Sequence, residues 1–131
     1  MSKLIPSDRL FSEEHEWVKL SGETAIIGIS EHAQSALGDV VYVELPDPGK
    51  EIVKGKAIGV VESVKAVSDI YAPLSGIVLA VNQKVIDHPE QINSDPYGEG
   101  WMLKIQVLDP KQAQLLMNNQ AYEELLEKEA K

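Results

Sequence analysis

Between residues 40 and 45 apolar positions recur every second residue: Val41, Val43 and Leu45 alternate with Val40, Tyr42 and Glu44. That is the period of a pleated strand, whose side chains point to opposite faces in turn. The run closes at Pro46-Asp47-Pro48-Gly49, a cluster of turn formers. The same period returns where Trp101, Leu103, Ile105 and Val107 alternate with Met102, Lys104 and Gln106, which predicts a half-buried strand. Residues 17–20 and 24–29 flank Ser21-Gly22-Glu23 and read as a hairpin. Two further Val- and Ile-rich runs, residues 57–62 and 77–81, flank a stretch that carries a single lysine, Lys65. Short strands separated by turn residues predict an all-β fold with minor helix, a sandwich or barrel.

Helical signals are confined to two places. Ser30 is a capping residue before residues 31–37, and Gly38 is the expected left-handed stop. Near the end, Asp109-Pro110 combines an N-cap with proline at the first helical position. Leu115, Leu116, Tyr122, Leu125 and Leu126 then fall at helical spacing, and Asn118-Asn119 divides the stretch into two helices over about residues 110–128. Their apolar stripe is expected to pack on the core. Residues 87–100, with Pro89, Pro96 and two glycines, read as an irregular surface loop. The first residues and the tail 127–131 are expected to fray.

Lys65 stands among small and apolar neighbours, with a turn signal and a strand-like run on either side of its segment. Such a setting raises one amine at the tip of a hairpin, within residues 59–76, where another protein can reach it. Two readings stay open on the residues alone: an ordinary charged turn residue, or a site of modification. The turn Ser63-Val64-Lys65-Ala66 lacks the Asn-Gly or Asp-Gly pair of the favoured tight hairpins. Glu62 and Asp69, on either side of Lys65, are solvated strand ends on one reading and recognition features for a modifying enzyme on the other.

Glu62-Ser63-Val64-Lys65-Ala66, then Ser68-Asp69, then Pro73-Leu74-Ser75-Gly76, resembles the lipoyl-attachment motif of the H-protein family of the glycine cleavage system. The resemblance continues through Glu14-His15-Glu16-Trp17, Gly28-Ile29-Ser30-Glu31-His32-Ala33-Gln34, Leu37-Gly38-Asp39-Val40-Val41, Glu44-Leu45-Pro46, Ile92-Asn93-Ser94-Asp95-Pro96-Tyr97 and Gly100-Trp101. It spans about residues 11–126. Val64 and Ala66 differ from the methionines that flank the lysine of biotin carriers, and Val64 replaces the acid found in the lipoyl domains of 2-oxo-acid dehydrogenases.

The resemblance implies a lipoyl-type hybrid barrel-sandwich of two antiparallel sheets, with a short helix after the N-terminal strands and helices at the C-terminus. It implies lipoate carried covalently on Lys65, attached by a lipoyl or octanoyl transferase or a lipoate ligase. It further implies a non-catalytic carrier that takes the aminomethyl group of glycine from the pyridoxal-phosphate glycine decarboxylase (P protein) to the tetrahydrofolate-dependent aminomethyltransferase (T protein). Dihydrolipoamide dehydrogenase (L protein) then reoxidises the arm. A relay that donates lipoyl groups to other lipoyl proteins needs the same lysine and is the alternative. A loaded arm calls for a sheltering cleft with a carboxylate for its ammonium; Glu16 and Asp69 are the candidates.

Composition narrows the remaining options. The 131 residues make one domain, 44% hydrophobic and 25% charged, large enough for a core without staples. A net charge of −9 repels nucleic acids and anionic membranes, and no apolar run approaches a membrane span. The absence of cysteine excludes disulfides, thiolate metal sites and a cysteine nucleophile, so any sulfur chemistry must arrive on an attached group. The N-terminus shows neither a signal-peptide apolar region nor an Arg-rich transit pattern, so a bacterial cytoplasmic protein is expected, with an already processed mitochondrial form as the alternative; a monomer is also expected. His15, His32 and His88 lack a second ligand at His-x-x-x-His spacing, and no metal site is expected from them. A small enzyme using Glu16 and Asp69 as an acid–base pair is the remaining rival, without a nucleophile, metal or arginine cluster to support it.

Overall fold

The computed structural model describes residues 5–129. Nine strands occur among them: β1 (Leu10–Phe11), β2 (Glu16–Ser21), β3 (Thr24–Ile29), β4 (Val40–Glu44), β5 (Glu51–Ile52), β6 (Ala57–Ser63), β7 (Val67–Tyr71), β8 (Gly76–Val81) and β9 (Leu103–Val107). Four α-helices accompany them: α1 (Glu31–Leu37), α2 (Gln83–Asp87), α3 (Gln91–Ser94) and α4 (Asn119–Glu129). A 3₁₀ helix of six residues covers Pro110–Leu115. The strands form a six-stranded sheet in the order β1-β2-β3-β9-β8-β5 and a three-stranded sheet β4-β6-β7, antiparallel throughout. The two sheets face each other as a sandwich rather than closing into a barrel. Among the described residues no helix is long and apolar enough to cross a membrane.

The larger sheet is apolar on the face toward the small sheet and, at its β1–β3 end, on the other face too, whereas Lys104 and Gln106 of β9 lie exposed on that outer face. Register places Val18 opposite Ile27, Ala25 opposite Ile105 and Val78 opposite Ile105, so these side chains share the face turned toward the small sheet. There they meet Val43, Val61, Ile70 and Leu74 in one buried cluster. Burying each such side chain contributes about 1.5–3 kcal/mol. On the other face Phe11 pairs with Trp17 and Trp17 with Gly28. The indole lies flat against Gly28, where a Cβ would come within 2.7 Å of the ring. Tyr122 of α4 stacks on Phe11, with ring centroids 4.4 Å apart and planes 5° from parallel. The α4 stripe therefore covers the outer face of the large sheet at its β1–β2 end.

Gly22 alone of the two loop residues between β2 and β3 has positive φ, at 61°, the position a II′ hairpin assigns to glycine. Ser30 caps α1 by accepting from the Ala33 amide, and Gly38 ends it at φ 81°. Asp109 caps the 3₁₀ helix, with Pro110 at its start. The expected break falls just before α4, although the first of the two C-terminal helices is 3₁₀ rather than α.

Four expectations change. The alternation in β4 does not run unbroken: a register shift between Val40 and Tyr42 turns Val40 and Val43 inward and leaves Val41 and Tyr42 exposed. The strand that pairs with β6 across the lysine turn is β7, whereas residues 77–81 belong to β8 in the other sheet. Ala72-Pro73-Leu74-Ser75 carries the chain between sheets, because Pro73 donates no ladder hydrogen bond and Leu74 is fully buried. Residues 87–100 hold α3, with Ile92 fully buried and Asn93 bonded to three neighbours, instead of a purely irregular loop. Helices of four and five residues fall below the window in which a period can be read. The tail is helical through Glu129; the fraying expected of residues 1–4 and 130–131 lies outside the described residues.

Candidate functional site

The β6–β7 hairpin is held by Ser63 in place of a glycine turn. The Ser63 hydroxyl oxygen accepts from the Ala66 amide at 3.0 Å and the Lys65 amide at 3.3 Å, and the Ser63 amide donates to the Ala66 carbonyl at 2.8 Å. No residue of the turn needs positive φ. A serine side chain thus closes a tip that the usual hairpin pairs would have closed with backbone alone. Val64, Lys65 and Ala66 are exposed, as is Asp69, while Glu62 and Ser63 are half-buried.

The tip rests on a second layer. The Val64 amide donates to the Asp39 carbonyl at 3.0 Å, just beyond Gly38. A Cβ at Gly38 would lie 3.5 Å from Lys65 Cε, so the lysine stem runs along the end of α1. Asn93 anchors that end: its amide donates to the Gly38 carbonyl at 2.8 Å and the Gln34 side chain at 2.9 Å, and its oxygen accepts from the Val40 amide at 2.8 Å. The charged amine therefore projects from a fixed base.

Beside the hairpin lies a cleft of about 290 Å³ that Glu16, His15, His32, Ser68 and Asp69 help to line, floored by Ile29, Val61 and Ile70. Glu16 and Asp69, on different sheets, meet here; Lys65 and Glu62 are outside it. Lys65 and Asp69 are four residues apart, two of those steps through the turn, so they lie at most on the order of 13 Å apart. Glu16 is almost completely buried and bridges the sheets. Its carboxylate accepts from the Ser12 hydroxyl at 2.5 Å and from the Tyr71 amide at 3.2 Å. Burial pushes its carboxyl upward from the usual range, and those two hydrogen bonds pull against it.

Next to Glu16, His15 adopts φ 71° and its Nδ1 lies 2.8 Å from the Tyr122 hydroxyl, itself 2.7 Å from Ser30 Oγ. His15 Nε2 lies 3.1 Å from Glu129 Oε1, and the His15 and His32 rings are 4.7 Å apart. Burial lowers the affinity of His15 for a second proton, with Glu129 opposing. Burial likewise raises the Tyr122 hydroxyl above its usual range. Ser12, Tyr122 and Glu129 carry no local motif that sequence reasoning could have used, since their partners lie elsewhere in the chain.

A small sandwich that lifts one lysine on a braced hairpin, beside a cleft lined by carboxylates, has the layout of a group-carrier domain. Residues 9–129 match the family model described as glycine cleavage H-protein. The chain is 52% identical to the glycine cleavage system H protein of Methylacidiphilum infernorum, over 94% of this chain and 96% of that one. It is 50% identical to the H protein of Carboxydothermus hydrogenoformans, over 96% and 97%. A crystal structure of the H protein from Mycobacterium marinum superposes with a TM-score of 0.84 at 37% identity, covering 90% of this chain and 95% of that one. The chain belongs to the glycine cleavage H-protein family, and that membership supports a lipoyl carrier role in glycine cleavage.

Proposed function

We propose that Lys65 is the residue that carries lipoate, and that the loaded arm passes from the glycine decarboxylase (P protein) to the aminomethyltransferase (T protein) and then to dihydrolipoamide dehydrogenase (L protein). The observation that carries this reading is the exposed amine on a hairpin tip fixed by Ser63, Asp39 and the Gly38–Asn93 contact. The residues fit the group: the tip leaves the amine free to form an amide, and the adjoining cleft offers apolar walls with three carboxylates, Glu14, Glu16 and Asp69. When bound, a dithiolane supplies a sulfur that accepts and releases an aminomethyl group. The chain's own part is to hold that group and exclude water.

Glu16 is suited to an ammonium because its carboxylate is already desolvated and oriented by Ser12 and Tyr71. A positive partner offsets the burial cost that the carboxylate otherwise bears. Asp69, exposed at the edge of the same cleft, adds negative charge on the side nearer the tip. Attachment by a lipoyl or octanoyl transferase or a lipoate ligase would use Glu62 and Asp69 to tell Lys65 from other exposed lysines such as Lys56. Tethering keeps the arm at an effective concentration on the order of mM for a docked enzyme.

The test is glycine–bicarbonate exchange with purified P protein. Lipoylated parent should support it, and Lys65→Arg, whose guanidinium is not an acylation nucleophile, should support none while folding normally. Parent-level exchange by Lys65→Arg would overturn the assignment.

A further inference from the structure

We propose that His15, His32 and Glu129 form a binding site for a divalent transition-metal ion, with zinc as its natural size and charge. One ligand atom from each lies within 4.8 Å of the others. They come from three separate segments: the turn before β2, helix α1, and the last turn of α4. Four bonds of about 2.0–2.1 Å around tetrahedral zinc put ligand atoms about 3.3 Å apart. The His15–Glu129 pair is already at 3.1 Å. His32 and Glu129 are exposed, so rotation of their side chains closes the remaining gap without moving the backbone.

His15 is backed as metal-binding histidines are. Its Nδ1 faces the Tyr122 hydroxyl at 2.8 Å, and that hydroxyl faces Ser30 Oγ at 2.7 Å. With the imidazole proton on Nδ1, it donates to Tyr122, Tyr122 donates to Ser30, and Nε2 turns a lone pair toward Glu129. Metal binding to neutral His15 then needs only a shift of the ring proton from Nε2 to Nδ1, with the hydrogen-bond chain reversing direction. Such backing fixes the ring and strengthens the ligand. Glu129 is a second pointer. It is an acid in the last turn of α4, where the helix dipole disfavours negative charge and a bound cation would offset the penalty. Two imidazoles and a carboxylate suit zinc and its late first-row neighbours, and leave a fourth position open. Calcium and magnesium, which prefer all-oxygen shells, are excluded by the same donors.

The site borders the cleft proposed for the arm but does not depend on lipoylation, so unmodified protein tests it. Calorimetric titration of full-length protein with Zn²⁺ should give saturable one-to-one binding at micromolar concentrations. Co²⁺ should give the visible absorption of a low-coordinate site. His32→Ala and Glu129→Gln, both at exposed positions, should each weaken binding at least about tenfold. His88→Ala removes the other histidine, which sits 3.7 Å from Glu90 on the surface, and should change nothing. No saturable binding in the parent, or parent-like binding in either the His32 or Glu129 variant, overturns the proposal, as does loss of binding in His88→Ala.

Discussion

At the hairpin tip the turn is closed within a few residues of Lys65 by Ser63, only the Val64 amide reaching out to the Asp39 carbonyl, and the side chains themselves face water: Val64 and Val67 are each 69% exposed. In the cleft the opposite holds. Glu16 is 2% exposed and reaches a loop hydroxyl on one side and an amide of the facing sheet on the other. His15, beside it, depends on Tyr122 and Glu129 of α4 and, through Tyr122, on Ser30 at the cap of α1. The tip is built mostly from neighbouring residues and stands exposed; the cleft is assembled from distant segments. On the function proposed above the two suit different tasks: presenting the arm, and shielding what it carries.

The largest contrast should appear in stability. Tyr122→Ala removes a fully buried ring stacked on Phe11 and breaks the hydroxyl contacts to His15 and Ser30, and should cost about 3–5 kcal/mol in urea unfolding. Val64→Ala at the tip should stay within about 0.5 kcal/mol. Comparable losses in the two would dissolve the distinction between regions.

Ser63→Ala sharpens it at the next level. The variant loses the acceptor that holds the Lys65 and Ala66 amides, with a cost of about 1 kcal/mol. Faster hydrogen exchange should be confined to residues 64–66, with the cleft unchanged. Spread of that exchange to residues 12–16 would show the tip and cleft to be one unit.

The tip was legible because its chemistry is contiguous: Glu62 through Asp69 forms a single stretch of sequence, and the hairpin strands on both sides are rich in Val and Ile. Its turn was not, since rules that look for Asn-Gly overlook a serine that replaces backbone strain with a side-chain acceptor. In β4 the alternation gave the strand but not its inward face, because one bulge shifts the register. Glu16 could be named as a remote candidate, yet nothing local marks Ser12 or the Tyr71 amide as its partners. The grouping of His15, His32 and Glu129 was hidden for the same reason: metal motifs are read from close spacing, and this one is assembled by packing α4 across the large sheet.

A smaller effect on the fold, with a clear effect on carriage, is expected for Glu16→Gln. The amide can still accept from Tyr71 and face Ser12, so stability should change by no more than about 1 kcal/mol. The charge that would hold an ammonium is gone, and the carried one-carbon unit should be lost to water faster than from the parent. Asp69→Asn should act in the same direction by less, being exposed. Retention times equal to the parent in both variants would move the shelter out of this cleft.

The central claim, that one lysine is singled out by the tip that presents it, is tested most directly by site-resolved mass spectrometry. Full-length protein is incubated with lipoate, ATP and a lipoate ligase, then fragmented across residues 62–69. The account predicts a single lipoyl group on Lys65 and none in Lys65→Arg. A lipoyl group on Lys56 or elsewhere, or an unmodified Lys65 in the parent, contradicts it.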